Sequence, residues 1–572
     1  MECTFRPSLV GCRFLDIRGL DDTLRFIALT IALGGLQFAW SVETGFGSPY
    51  LLSLGLQKSV VSLVWLAGPL SGLVTQPLVG FLSDNCTSRL GRRRPYIIGA
   101  TAAVVVCLTI VGWAREIAGD RQVAAIWLAV VAFYVLDFAV NCIQASLRAL
   151  IVDMLPASRQ DDGTAWASRM IGVGNVLGFL MGFLDLPRML PFLGSTQMQV
   201  LTTVASVVLS LCVSVTCYSI KEVPITGPLA HAAEGFKMFS SLISSLRSLP
   251  DIVKQIFRVQ FFAWIGWFPF LFYSTTYVAD IYIASHGGPE NEAISDMATR
   301  AGSLAMFVHA ASSLVSSIVL PAFTYSAAAS ASSPPPMYSS VSEDTSLLFL
   351  GRVWNFWSRV RKKITVSLPT LWTLSLCVFA VSMFLTLAVS TTRSATVLMG
   401  VCGISWAVAI WVPFSLLGEI ISSGHAGLDV DTRDDGNYRP VASVGDGDGV
   451  DAIPMEIIEQ NGRDNASCIS SSRSSSSGGE AISSHGLEEA HGIAEPMSAG
   501  TVLGLHNVFV VVPQFITALA SSLIFALFEH VERTSQPSSA GGQHAMEISI
   551  VLCLGGTSSA VAAYRAWKLS SY

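Results

Sequence analysis

Four polar residues sit at matched intervals inside one long apolar stretch: Asp137, Asn141, Gln144 and Arg148, at steps of four, three and four. At 100° per residue, eleven steps fall about 20° from whole turns, so on a helix all four line one stripe. The other faces are Val, Ala, Leu and Ile. Asp137 and Arg148 stand about 16 Å apart along the axis, at about 1.5 Å per residue, too far to pair within that helix. A carboxyl at mid-depth can carry a proton. The amides and the guanidinium offer the donors and acceptors that a hydroxyl-rich solute needs. A charge at a bilayer centre costs about 2.5–3.5 kcal/mol on insertion scales, which favours function over scaffold. The structural alternative is hydrogen bonding that only holds helices together.

Other segments carry weaker signals. Gln37, Ser41, Thr44 and Ser48 repeat the same spacing in the first apolar stretch, with Glu43 beside Thr44 as a second candidate proton carrier. Asn507 and Gln514 are seven residues apart, with His506 adjacent. Trp264, Trp267, Phe270 and Tyr273 are candidates for stacking on the flat face of a solute, Trp267 foremost, although aromatics in membranes also face lipid. His309 stands alone among apolar residues and reads as structural. No metal-ligand cluster, nucleophile–base pair or phosphate-binding loop is visible. The reading is therefore neither an enzyme nor a cofactor or metal protein.

These residues need helices that cross a membrane. The chain has 572 residues, 51% hydrophobic and 13% charged, with a net charge of −6 and a pI near 5.9. Soluble domains carry about 25% charged residues, so a soluble enzyme is a poor fit. A nucleic-acid-binding protein is excluded by the acidic balance. Spanning the hydrocarbon takes about 20 apolar residues, and twelve segments qualify, among them Phe26–Ser48, Val60–Leu82, Ala165–Leu186, Met497–Phe528 and, shortest, Ile548–Tyr564. Loops on the N-terminal side hold 26 Lys and Arg against 7 on the other, with Arg169 inside a span, so both termini are expected in the cytoplasm. None of the eleven Cys falls in an expected outer loop, and no disulfide is expected.

The expected organisation is a cytoplasmic N-terminus (1–25), a six-helix bundle (26–220), a cytoplasmic linker (221–256) and a second six-helix bundle (257–567). The second bundle carries cytoplasmic loops at 324–363 and 422–496. The latter holds 14 Asp and Glu against 4 Arg with a Ser-rich run, a composition read as disordered and as an inert linker.

The segment from Gly80 to Pro95 reads GFLSDNCTSRLGRRRP. Its outline, Gly-x3-Asp84 followed by Arg89-x-Gly91-Arg92-Arg93-Arg94, resembles the signature loop of the major facilitator superfamily. The fuller string is similar to the sucrose-transporter branch of the glycoside–pentoside–hexuronide:cation symporters. WLAGPLSGLVTQPLVG (65–80), Arg148-Ala149-Leu150 with Asp153, GVGNVLGF (172–179), WIGWFPFLFY (264–273), WVPFSLLGE (411–419) and GTVLGLHNVFVVVPQ (500–514) resemble the same family in order.

The resemblance implies a proton-coupled disaccharide carrier of the major facilitator fold, all α-helical, working by alternating access. It implies proton coupling at Asp137 and sugar binding at Arg148; the residue patterns add Glu43 to the first, and Asn141, Gln144, Gln37, Asn507, Gln514 and Trp267 to the second. It implies a conformational latch at Asp84, Arg89, Arg92, Arg93 and Arg94. The partners are a sugar, sucrose or another α-glucoside such as maltose, a proton and the lipid bilayer, with no nucleic acid and a monomer expected. The plasma membrane is expected, the vacuolar membrane being the alternative. Departures exist: Ser274-Thr275-Thr276 stands where plant relatives carry an aspartate, and Gln57-Lys58 where they carry a histidine. Plant relatives also lack an acid at Glu43, and the long acidic loop looks most like a fungal member. The other readings are a non-transporting sugar receptor on the same fold and an uncoupled facilitator.

Overall fold

The computed structural model describes residues 12–14, 21–84, 86–155, 159–222, 249–286, 292–325, 366–431, 499–534 and 540–570. Most of the expected loops at 324–363 and 422–496, and most of the linker, lie outside the described residues.

The first bundle opens with strand β1 (Cys12–Phe14). Then come α1 (Asp22–Ser53), α2 (Lys58–Val64), α3 (Ala67–Asp84), α4 (Arg94–Gly112) and the short α5 (Ala114–Ala118). It continues with α6 (Gln122–Met154), α7 (Gln160–Phe183), the single turn α8 (Leu186–Met189) and α9 (Gln197–Ser219), and closes with β2 (Ile220–Glu222). β1 and β2 pair antiparallel, Arg13 opposite Lys221. The second bundle runs α10 (Asp251–Ser285), α11 (Glu292–Val319), β3 (Thr324–Tyr325), β4 (Val366–Ser367), α12 (Leu368–Leu385), α13 (Thr392–Asp431), α14 (Ala499–Thr534) and α15 (Ala540–Leu569).

Eleven of these helices, α2 and α3 counted together, are long and apolar enough to cross a membrane. In lipid every backbone N–H and C=O must be satisfied within the chain, which a helix does by itself. The twelfth span is α7. It starts with Asp161 and Asp162 and holds Arg169, and it lies between α1 and α11, so it needs less apolar surface than the others. Large apolar side chains point outward in rows, Leu519, Leu523 and Leu527 on α14 and Val74, Leu78 and Leu82 on α3, which makes the outside of the molecule a lipid-facing surface. The chain is an integral membrane protein.

Two spans differ from their sequence outlines. Val60–Leu82 is broken into α2 and α3 at Trp65 and Leu66. Trp65 turns inward there, stacks on Phe272 at 4.6 Å and donates its indole N–H to Ser48 Oγ at 2.9 Å. The shortest expected span, Ile548–Tyr564, lies within a 30-residue helix. Its Gly, Ser and Thr residues lower the hydropathy but serve packing. A Cβ on Gly555 would stand 3.0 Å from Gly266 Cα, so α10 and α15 touch backbone to backbone.

Within the first bundle, α1 lies against α7 and α9, and α6 against α3 and α4. A Cβ on Gly174 would collide with the Gly34 carbonyl, which brings α7 directly onto α1. In the second bundle α10 lies against α15, α11 and α14. The two bundles meet where α11 touches α7, where α14 touches α2 and α3, and where α10 touches α1.

Candidate functional site

The stripe on α6 faces inward as its spacing predicts. Asp137 is 5% exposed, and Glu43 of α1, at 1%, comes within side-chain hydrogen-bonding reach of it. Among the described residues, neither Glu43 oxygen meets an N–H or O–H donor. A hydrogen bond between two carboxyls requires one hydrogen, so the pair has the chemistry of a proton-holding unit.

Asn141 lies one turn along. Its amide N–H groups donate to Ser71 Oγ of α3 at 2.9 Å and to the Asp137 carbonyl at 3.0 Å. Gln76 of α3 donates to Asn141 Oδ1 at 3.2 Å, and its own Oε1 accepts from Asn507 of α14 at 3.4 Å. Asn141 and Asn507, on opposite bundles, are thus joined through Gln76. Gln37 of α1 reaches a different partner: with Ser41 it donates to Asn175 Oδ1 of α7, at 3.4 and 2.7 Å.

α3 and α14 run antiparallel in register. A Cβ placed on Gly68 would meet Gln514 Oε1 at 3.8 Å and both Asp137 carboxyl oxygens at 3.9 Å. One placed on Gly72 would meet Asn141 Oδ1 at 3.7 Å and Val511 at 3.9 Å. Gln76 and Asn507 form the next step of the same seam. Asp137, Asn141, Asn507 and Gln514 therefore converge on one face of α3.

Arg148 lies further along the α6 stripe and is exposed, with Gln144 half-buried between it and Asn141. No described residue pairs with Arg148, which leaves five N–H donors free for a solute. Trp267 is placed otherwise than its sequence role requires. It is 1% exposed and shut inside the second bundle against Phe379 at 3.9 Å and Phe270 at 5.6 Å. The half-buried rings beside it are Trp264 and Trp406, edge to face at 5.8 Å. His309 is buried, its Nδ1 3.2 Å from the Met399 carbonyl, in the structural role its surroundings imply. His506 is buried against Gln260 at 2.9 Å.

The arginine loop is fastened within the first bundle. Arg92 and Arg93 both pair with Asp153 of α6, the latter at 3.1 Å, and Arg93 also bonds Ser83. Glu222 of β2 accepts the Arg93 backbone N–H at 2.8 Å, and the N–H groups of Arg92 and Arg94 also bond it. A carboxylate at the start of α4 suits the positive end of the helix dipole. Burial pushes the Glu222 carboxyl above its ordinary range, and the three N–H groups pull the other way. Gly91, at φ +106°, passes directly over Glu222. Arg89 is exposed, and the side chain of Asp84 lies outside the described residues. Sequence reasoning did not bring out Glu222, which sits in no recognisable pattern. Nor did it bring out Gly68, Gly72 and Gln76, although they are spaced by four residues.

At the other end the two bundles are joined. Lys58 of α2 pairs with Asp280 of α10 at 3.1 Å and with Glu547 of α15 at 3.5 Å. Ser59 donates its N–H and its hydroxyl to Glu529 of α14, at 3.1 and 2.7 Å. Tyr273 donates to Ser62 at 2.8 Å, and Arg300 of α11 pairs with Asp185 at 3.2 Å.

Residues 35–280 match the family described as MFS/sugar transport protein. The general alpha-glucoside permease of Schizosaccharomyces pombe is 33% identical over 591 aligned positions, 95% of this chain and 93% of that protein. Sucrose transport protein SUT1 of Oryza sativa subsp. japonica is 33% identical over 300 positions, 46% of this chain and 54% of that protein. Among solved structures, one of proton dependent oligopeptide transporters aligns at a TM-score of 0.54 with 10% identity, covering 96% of this chain and 98% of that one. A D-xylose-proton symporter aligns at 0.50 with 12% identity, covering 96% and 98%. At these identities the structures speak for the fold alone.

Proposed function

Starting from a chain that belongs to the MFS/sugar transport protein family, we propose that it carries an α-glucoside disaccharide, sucrose or maltose, together with a proton across the plasma membrane as a monomer. The similarity to the fission-yeast α-glucoside permease extends over nearly the whole of both proteins and supports the substrate class. The observation that carries the coupling is the buried Glu43–Asp137 carboxyl pair beside the α3–α14 seam.

In this reading the arginine loop faces the cytoplasm, in line with the bias of Lys and Arg. The fastened end is then the outer one, and the chain is drawn open toward the cytoplasm. The bundles rock about a midplane site to expose it alternately. A proton enters the carboxyl pair from outside. Sugar hydroxyls engage Asn141, Asn507, Gln514 and Gln144, and Arg148 holds the end of the sugar nearer the cytoplasm. The outer ion pairs then close over the loaded site, and sugar and proton leave inward. Asp153 and Glu222 hold the arginine loop against the first bundle through the cycle. One proton moving down 100 mV supplies about 2.3 kcal/mol, or about fifty-fold accumulation of an uncharged solute.

The test is uptake of labelled sucrose and maltose in yeast lacking its own sugar carriers, with the external pH recorded. Uptake above equilibrium with matching alkalinisation of the medium is expected, and loss of both the accumulation and the alkalinisation in Asp137→Asn. Surface-expressed protein that takes up neither sugar overturns the reading.

A further inference from the structure

Resting on the reading above, we propose that one face of α3, built by Gly68, Gly72 and Gln76, sets the size of the sugar that the site accepts. These three residues are spaced by four and so share a face. That face looks at groups from both bundles: Asp137 and Asn141 on one side, Gln514, Val511 and Asn507 on the other.

The two glycines are not required by helix packing. At other close crossings of this protein an added Cβ would collide with backbone, as at Gly174 against Gly34. At Gly68 and Gly72 it would meet its nearest atoms at 3.7 to 3.9 Å, ordinary contact distances. Those atoms are the oxygens of Asp137, Gln514 and Asn141, with one Val511 methyl. The absent side chains thus leave room for about one methyl group each beside proton-carrying and hydroxyl-binding groups. The buried carboxyl of Asp137, aimed at Gly68 from the side, is the independent sign that this space is meant for a polar solute.

Gln76 closes the row. Its amide is shared between Asn141 and Asn507, the second bond being long at 3.4 Å. A sugar hydroxyl that takes up the Gln76 amide, whose hold on Asn507 is the long one, is bound beside groups of both bundles at once. A flat wall of two glycines accepts a pyranose ring edge-on, and a Cβ in that wall takes away about one methyl group of depth. One methylene of misfit in a shaped pocket changes binding by about tenfold or more.

The experiment is sugar binding to purified full-length protein by calorimetry, with initial-rate transport in parallel. Gly68→Ala and Gly72→Ala are expected to raise Kd and KM for the disaccharide about tenfold, with the maximal rate within about twofold of the parent. Gly99→Ala, on a face of α4 where an added Cβ meets nothing within 4 Å, is expected to leave both unchanged. Gln76→Ala adds no bulk and serves where an alanine for glycine lowers the yield; it is expected to raise Kd about tenfold through its lost hydrogen bonds. A parent that binds the disaccharide while these three variants bind it equally well overturns the inference alone. A parent that binds neither maltose nor sucrose overturns the reading beneath it, and this inference with it.

Discussion

Glu43 on α1 and Asp137 on α6 bring their carboxyls within hydrogen-bonding reach inside the first bundle, 1% and 5% exposed. The two residues are 94 positions apart in sequence. They meet because α1 and α6 are direct neighbours. A pair of acids that share a hydrogen differs in kind from an acid neutralised by a base. Its charge changes by taking up or giving off a proton, with no salt bridge to break.

Asp137→Asn is therefore expected to abolish concentrative uptake. At 100 mV the accumulation ratio falls from about fifty to about one, while exchange of labelled for unlabelled sugar persists. Uptake in the presence and absence of a protonophore measures this. An Asp137→Asn protein that still concentrates sugar rules out the pair as the coupling site.

The far-end closure depends on Lys58, whose ammonium lies between Asp280 and Glu547. Lys58→Met leaves two carboxylates facing each other across the contact. Lys58 and Asp280 are partly exposed while Glu547 is buried, so the loss is about 1–2 kcal/mol, less than for a fully buried pair. The ratio of closed to open far ends falls about tenfold, readable as faster thiol labelling of a Cys placed at Ser62. Unchanged labelling would show that the lysine does not hold this end.

Gly91 crosses Glu222 at a φ that side chains rarely adopt. Gly91→Ala brings both a strained backbone and a collision with the Glu222 side chain, and about 1–3 kcal/mol of stability is lost. The expected result is a lower unfolding midpoint in detergent. Arg89→Ala, at an exposed position of the same loop, is expected to unfold with the parent.

The tryptophans divide by burial. Trp267→Ala empties a filled position and is expected to cost about 3 kcal/mol or more in stability. Trp264→Ala and Trp406→Ala alter half-buried rings and are expected to raise KM with little change in unfolding. Melting curves and initial rates on the same preparations separate the two behaviours.

Deleting residues 422–496 is expected to spare sugar uptake, since the segment carries none of the candidate site residues. A loss of uptake at normal surface levels would give this acidic segment a part in transport.

The polar stripe of α6 was legible in the sequence because helical periodicity in an apolar background leaves few alternatives. The spans were legible for the same reason, α7 least plainly because of its acids and Arg169. The break between α2 and α3 was not, because Trp65 and Leu66 are as apolar as their neighbours and only the Trp65–Phe272 stacking reveals it. Trp267 was misplaced because a span's sequence does not say which aromatic faces the core and which the opening. Glu222 was invisible because its role depends on three backbone N–H groups 128 to 130 residues earlier in the chain.

The small strand pair β1–β2 has a mechanical meaning. By joining Cys12–Phe14 to Ile220–Glu222 it clasps the beginning of the first bundle to its end, turning six helices into a closed hoop. β3 and β4 make a similar clasp between the end of α11 and the start of α12. A hoop resists splaying, so force applied at its rim is delivered undiminished to the opposite rim. In the proposed cycle, drawing Lys58 toward Asp280 and Glu547 at one end would lever the arginine loop outward at the other.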